Sequence, residues 1–293
     1  MNMTRELVDR PAQALYRQAL RDMRHSGIPF LVGGAFALES YAGVVRRTKD
    51  LDVFVHRETV DQLMRFLAEK GYATEVRFPH WICKAWKEDH VIDIIFGSGN
   101  GICAVDAEWF GEAPKVVLLG EPAYLVPVEE MIWSKAFVMD RERYDGADIA
   151  HLFHACSRTL DWSRLLRRFH AHWRVLFSHM ILFGYVYPGR RLHIPRWLMG
   201  ELLRRVELES VTVPSDRTVC QGTLLSWGQY LDSIERGEYE DARHPPRGSL
   251  TAEQTEFLTA QFRKEQHIGS DREPPRTSRR RRSPHAQSEK SAA

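Results

Sequence analysis

The sequence predicts an α+β fold: a small mixed β-sheet core with helices, followed by a mostly helical C-terminal region. Two observations predict it. Short apolar runs alternate with helical periodicity up to about residue 125, and from Pro127 onward the pattern is helical almost throughout. With 293 residues, 43% of them hydrophobic, the chain is long enough to bury a sizeable core.

The elements follow in order. Thr4 to His25 has helical spacing (Leu7, Ala14, Leu15, Ala19, Leu20, Met23), interrupted by Pro11 and ending at Ser26-Gly27. Ile28 to Val32 reads as a strand that runs into a tight turn at Gly33-Gly34, and a short helix follows over Ala35 to Tyr41. Leu51 to Val55 is a second strand. Glu58 to Lys70 is an amphipathic helix with Val60, Leu63, Met64 and Leu67 on one face and Gly71 as its stop. Ala73 to Phe78, Trp81 to Trp86 and Val91 to Phe96 read as strands, Gly97 to Gly101 as a loop, and Lys115 to Leu119 as a further strand. Helices are expected over Pro127 to Met139, Asp145 to Cys156, Trp162 to Phe183 and Pro195 to Val206. Ser210 to Arg247 carries a weaker pattern, with helix over Leu224 to Ile234, and Thr251 to Arg263 is helical again. The expected organisation is a core over residues 1–125, a helical region over 126–268 and a disordered basic tail over 269–293, where Ser, Pro and Arg dominate.

Composition narrows the class. The formal charge of +2 is near balance, with part of the excess at Arg279, Arg280, Arg281 and Arg282. The N-terminus has no apolar signal region, and no stretch is long enough to span a bilayer. Cys83, Cys103, Cys156 and Cys220 lie far apart without a CxxC pair, which fits free thiols in a reducing cytoplasm. The histidines His151, His154, His170, His172 and His179 show no HExxH or paired Cys/His spacing and read as surface or core residues. Trp162, Trp173 and Trp197 fall at the spacing of a helical core.

The chemistry-bearing residues are acidic. Asp50 and Asp52 flank Leu51 at a strand start, and residues two apart on a strand project to one side. Two adjacent carboxylates repel unless a cation or strong donors offset them, and a hard divalent ion with oxygen ligands does so. Asp93 interrupts the apolar run Val91-Ile92-Asp93-Ile94-Ile95-Phe96. A carboxylate there needs a metal, a proton or a basic partner. Gly33-Gly34 sits between a strand and a helix, where the backbone can approach a phosphate and the helix N-terminus offers unpaired N–H groups.

Taken together, Leu31-Val32-Gly33-Gly34, Thr48-Lys49-Asp50-Leu51-Asp52-Val53 and Val91-Ile92-Asp93-Ile94 resemble the signature of the DNA polymerase β-like nucleotidyltransferase superfamily. The Thr-Lys-Asp-Leu-Asp form is most similar to bacterial minimal nucleotidyltransferases, including toxins of the abortive-infection type. The resemblance covers residues 28 to 155 and extends to Ser134-Lys135 and to Arg143-Tyr144-Asp145-Gly146-Ala147-Asp148, with Gly146 where that branch has a charged residue. It implies Mg²⁺ or Mn²⁺ at Asp50, Asp52 and Asp93, and an NTP such as ATP held by Gly33, Gly34, Thr48 and Lys135. Lys135 would act as a phosphate-binding point charge and Asp148 as a supporting or base-like residue. The implied reaction passes a nucleoside monophosphate to a hydroxyl acceptor: RNA such as a tRNA end, a protein, or an aminoglycoside-like small molecule. An antitoxin partner belongs to the toxin branch of the resemblance. The alternative is a nucleotide-binding module of the same fold without transfer activity, and the Arg-rich tail reads as a solvated charge run.

Overall fold

The computed structural model describes residues 7–213 and 217–270, with side chains to 264. The chain divides into two compact units, Met1–Thr255 and Glu256–Ala293. In order, the elements of the first are α1 (Arg10–His25), β1 (Leu31–Val32), α2 (Gly34–Ala42), β2 (Asp50–Phe54), α3 (Val60–Glu69), β3 (Ala73–Phe78), β4 (Ile82–Lys87), β5 (His90–Ile95), α4 (Ala107–Gly111), β6 (Lys115–Leu118) and β7 (Glu121–Tyr124). They continue with α5 (Val128–Ala136), α6 (Gly146–Cys156), α7 (Trp162–Phe169), α8 (Trp173–Val186), α9 (Arg196–Val211), β8 (Val219–Cys220), α10 (Thr223–Glu235) and β9 (Glu240–Asp241). A last helix, α11 (Ala252–Ser270), begins at the end of this unit.

The expected α+β architecture is present. Five strands form one mixed sheet in the order β1-β2-β5-β4-β3. The β2–β5 pair is parallel and the other three pairings are antiparallel. Leu51, Val53, Ile92 and Ile94 are fully buried. They alternate along β2 and β5 with the side chains of the opposite face, as a period of two requires. The sheet therefore turns its aliphatic residues to the core and its carboxylates to the other side. Outside it, β6 and β7 form a hairpin and β8 and β9 a short parallel pair.

Several expected boundaries move, each for a local reason. Pro11 starts α1 instead of interrupting it: Asp9 caps the helix by accepting from the Ala12 amide at 2.9 Å, and proline in the first turn forfeits no helical hydrogen bond. The expected residues Thr4–Glu6 of that helix lie outside the described part. The single helix expected over Trp162 to Phe183 is two. His170 leaves helical geometry at φ 39°, and a short 3-10 turn joins α7 to α8. The break lets Leu165 and Phe169 on α7 and Trp173, Leu176 and Phe183 on α8 enter the same core. Trp162 and Trp173 are buried as expected, whereas Trp197 is half exposed. On α9 the residues that reach the core are Leu198 and Leu202, one turn apart, and Trp197 points off that stripe. Four elements had no clear sequence signal: α4, five residues long with Asp106 as its cap, β7, which contains Pro122, and the two-residue strands β8 and β9. The tail expected from Gly269, with Arg279–Arg282, lies beyond residue 270 and so outside the described residues. No helix among the described residues is long and apolar enough to cross a membrane, and all four cysteines are free.

The helices after the sheet are joined by charge as well as by apolar packing. Glu130 on α5, with no exposed side-chain surface, accepts from Arg164 at 2.7 Å and from Arg168 at 2.7 Å. Arg168 also meets Asp106 before α4 at 2.6 Å. Two guanidiniums buried beside one carboxylate depend on it, because an unpaired interior charge is costly. Glu130→Ala is therefore expected to lower stability by about 3–5 kcal/mol, measured by urea denaturation against the wild type. A loss confined to a few tenths would show that the remaining carboxylates already satisfy both arginines.

Candidate active site

The site is built on two strand ends and the turn beside them. The β2–β5 register sets Asp52 opposite Asp93 and Asp50 opposite Val91. Asp50 and Asp52 share a face of β2, and Asp93 shares that face of β5. The three carboxylates expected to act together thus lie on one side of the sheet. Asp93 is 8% exposed. Among the described residues, no three His, Cys, Asp or Glu side chains are drawn tightly enough together to form a ready coordination shell. Asp93 leans instead on Lys84, whose ammonium lies 2.7 Å from its Oδ1. Lys84 is its register partner on β4, a pairing that linear spacing does not reveal.

Electrostatics mark the trio as a strained group. Part of Asp52 opens to a cavity, but protein surrounds it densely. Burial first, and then the charges of Asp50 and Asp93, push its carboxyl up to about 7, while Lys135 and Arg143 pull the other way. Asp93 is also pushed upward by burial, partly offset by its hydrogen bond to Lys84. Asp50 takes a hydrogen bond from the Thr48 hydroxyl. Carboxylate oxygens gathered on one face, two of them with raised proton affinity, fit a hard divalent cation, which would offset their charge without protons.

The glycine turn fits that face closely. Gly33 donates its amide to the Asp52 carbonyl at 3.0 Å and precedes α2. Gly34 has φ +54°, and a Cβ there would overlap the Asp52 carboxylate; one at Gly33 would strike the Phe54 ring. The pair therefore does more than permit a tight turn: it clears the space that Asp52 occupies.

Lys135 on α5 and Arg143 in the loop before α6 supply the basic groups. Lys135 Nζ lies 2.8 Å from Asp145 and 2.9 Å from Asp148. Arg143 meets Asp145 at 3.1 Å and Arg46 meets Asp148 at 2.5 Å. Burial raises the Asp145 proton affinity, but Lys135 and Arg143 outweigh it and hold the carboxyl below its usual range. Asp148, 4% exposed, fixes Lys135 from behind. Gly146 leaves room for the Tyr144 ring, which a Cβ would hit, so the glycine at this position has a packing reason.

One cavity of about 300 Å³ gathers most of these groups. Gly34, Asp52, Lys135, Arg143 and Asp145 line one end, and Phe54, Ile95, Trp81, Leu224 and Trp227 line the rest. Among the residues expected from sequence, Gly34, Asp52 and Lys135 meet there. Asp50 and Asp93 continue the same sheet face, Thr48 supports Asp50, and Asp148 acts on Lys135 without lining the cavity. Lys84, Trp81 and the segment around Leu224 were not legible as site residues, since strand pairing and chain return bring them in.

Two outcomes follow from this geometry. Gly34→Ala forces a side chain into a left-handed position already filled by Asp52. It is expected to displace that carboxylate and cost any phosphate-directed activity far more than stability, as read by comparing turnover with the urea midpoint. The second concerns pH. Asp52 holds its proton to about 7 in the fold and to 3.8 as an ordinary carboxylate, so the folded state binds more protons between those values and stability falls as pH rises through them. With a chelator present, Asp52→Asn should flatten that decline, gaining on the order of a few kcal/mol over wild type at about pH 8 and little at about pH 4. Parallel stability curves for the two proteins would disprove the raised ionisation.

No protein-family model matches this chain, and no curated protein matches it in sequence. Similarity appears among solved structures. The antibiotic-resistance factor ANT(2'')-Ia in complex with adenylyl-2''-tobramycin is 19% identical over 56% of this chain and 98% of its own, with a TM-score of 0.41. An antigenic nucleotidyltransferase-like protein from Paracoccidioides brasiliensis is 14% identical over 62% of this chain and 91% of its own, with a TM-score of 0.42. The lincosamide antibiotic adenylyltransferase LnuA, lincomycin-bound, is 16% identical over 50% of this chain and 96% of its own, with a TM-score of 0.36.

Proposed function

We propose that this protein is a metal-dependent nucleotidyltransferase that moves a nucleoside monophosphate from an NTP to a hydroxyl acceptor. The observation that carries the reading is the parallel β2–β5 register, with Asp52 opposite Asp93 and Asp50 on the same face, beside a glycine turn and a lysine that lines the same cavity. Asp50, Asp52 and Asp93 would hold Mg²⁺ or Mn²⁺, as their all-oxygen donor set suits. When bound, such an ion offsets phosphate charge and increases the acidity of an acceptor hydroxyl.

The chain's own groups account for the rest. The N-terminus of α2 at Gly34 would face negative phosphate oxygens, the Gly33 amide being taken by the Asp52 carbonyl, and the Lys135 ammonium adds a point charge. Asp145 and Asp148 keep that ammonium aimed, as the two short ion pairs require. The acceptor oxygen would bond to the α-phosphorus as the bond to the bridging β-phosphate oxygen breaks. Pyrophosphate departs, and the hydroxyl proton passes to a carboxylate of the acidic face. Rate enhancement then comes mainly from positioning and charge neutralisation. Acceptors of this chemistry include an RNA end, a protein side chain and an aminoglycoside-like small molecule; the toxin-type resemblance adds an antitoxin as a partner.

Incubating the full chain with each labelled NTP, Mg²⁺ and separated RNA, protein and small-molecule fractions of a cell extract tests the reading. Label should transfer to one fraction with release of pyrophosphate. Asp52→Ala and Asp93→Ala should reduce transfer to background while circular dichroism stays unchanged. NTP binding without transfer to any fraction would instead support the inactive nucleotide-binding module.

A further inference from the structure

The cavity has a second half that the carboxylates do not use. Its floor continues the catalytic face of the sheet: Phe54 lies two residues beyond Asp52 and Ile95 two beyond Asp93, and both line it. Trp81 forms one wall. Its ring stacks on Phe78 at 5.8 Å between centroids, and its Nε1 is buried. The returning chain around Leu224, Leu225 and Trp227 lines it as well.

That returning segment is held firmly. Asn100 donates to the Leu224 carbonyl at 2.7 Å, and the Met139 amide donates to the Leu225 carbonyl at 3.2 Å. Ser226 leaves helical geometry (φ −152°, ψ 81°) inside α10, which separates Leu224 and Leu225 from the regular helix that follows. Trp227 rests over Arg243 at 5.8 Å; Arg243 is 1% exposed and paired with Asp241 at 2.6 Å. A buried guanidinium beneath an indole limits the ways the ring can turn.

Resting on the nucleotidyltransferase reading, we propose that this aromatic half is the subsite for the base of the donor nucleotide, with Trp81 as its stacking face. Position along the sheet supports the assignment. The Phe96 amide donates to the Trp81 carbonyl at 2.9 Å, so Trp81 sits level with the residue three beyond Asp93. At about 3.3 Å per strand residue the separation is roughly 10 Å, the scale of a ribose between a phosphate and its base. A planar ring suits a slot between indoles and aliphatic side chains, because every base offers a π face. The polar readout is narrow. The Trp81 N–H is buried and lies in the ring plane, out of reach of a base on the ring face, and Asn100 is already engaged with Leu224, Ser98 and Ile102. The subsite therefore selects a base by stacking area, which favours purines over pyrimidines.

Calorimetric titration of the full chain with ATP, GTP, CTP, UTP and inorganic tripolyphosphate, each with Mg²⁺, tests this in wild type, Trp81→Ala and Trp81→Phe. Wild type should bind purine nucleotides several-fold tighter than pyrimidine ones. Trp81→Ala should weaken ATP by about tenfold or more, the scale of one lost base–aromatic stack, and leave tripolyphosphate unchanged. Trp81→Phe should keep most of the ATP affinity and narrow the purine preference. Unchanged ATP affinity in Trp81→Ala overturns the subsite, as does an equal loss for tripolyphosphate or a loss seen only in the acceptor KM. Wild type that transfers label yet shows no base preference also overturns it, leaving the transfer reading intact. If wild type binds neither ATP nor tripolyphosphate, both fall.

Discussion

Everything at the acidic face depends on one strand pairing. β2 and β5 are far apart in sequence and parallel in space, and their register sets Asp52 directly across from Asp93. A slip of one residue would send Asp93 into the core among Leu51, Val53, Ile92 and Ile94. The buried aliphatic side chains therefore hold the carboxylates in place: burial of one face determines what the other face presents. The cost is burial and, after it, like charge at short range, which together raise the proton affinities of Asp52 and Asp93. Lys84 on β4 offsets part of it.

The helices after the sheet complete the site instead of merely covering the core. α5 carries Lys135 on one part of its surface and Glu130 on another. The buried contacts of Glu130 with Arg164 and Arg168 tie α5 to α7, and the Lys135 contacts with Asp145 and Asp148 tie it to α6. A helix held by ion pairs at both places has little freedom to roll, and its lysine stays directed at the carboxylate face. Residues 222–227 then close the far side of the cavity through backbone hydrogen bonds, which bind whatever side chain happens to be attached.

Much of this was readable along the chain. Alternation in Val91–Phe96 exposed Asp93 as an anomaly, and Asp-x-Asp placed two carboxylates on one side of a strand. The amphipathic spacing of Val60, Leu63, Met64 and Leu67 marked a helix that the structure contains. Pro11 is a local matter, a first-turn proline behind the Asp9 cap. The other misreadings have a common source. The break at His170 and the exposure of Trp197 turn on which neighbour an element meets, and periodicity carries no information about neighbours. Trp81 and Lys84 escaped notice as site residues for the same reason, since β4 reaches the site only by pairing with β5.

The sequence alone determined the α+β class, the order of most elements, and the residue types that suit phosphate and cation chemistry, because these follow from local periodicity and side-chain chemistry. Tertiary structure decided which residues meet: Asp52 with Asp93, Lys135 with Asp145 and Asp148, Trp81 with the chain returning at Leu224. Such encounters are governed by long-range strand register and helix packing. Those depend on how the whole core closes, and no short stretch of sequence contains that closure.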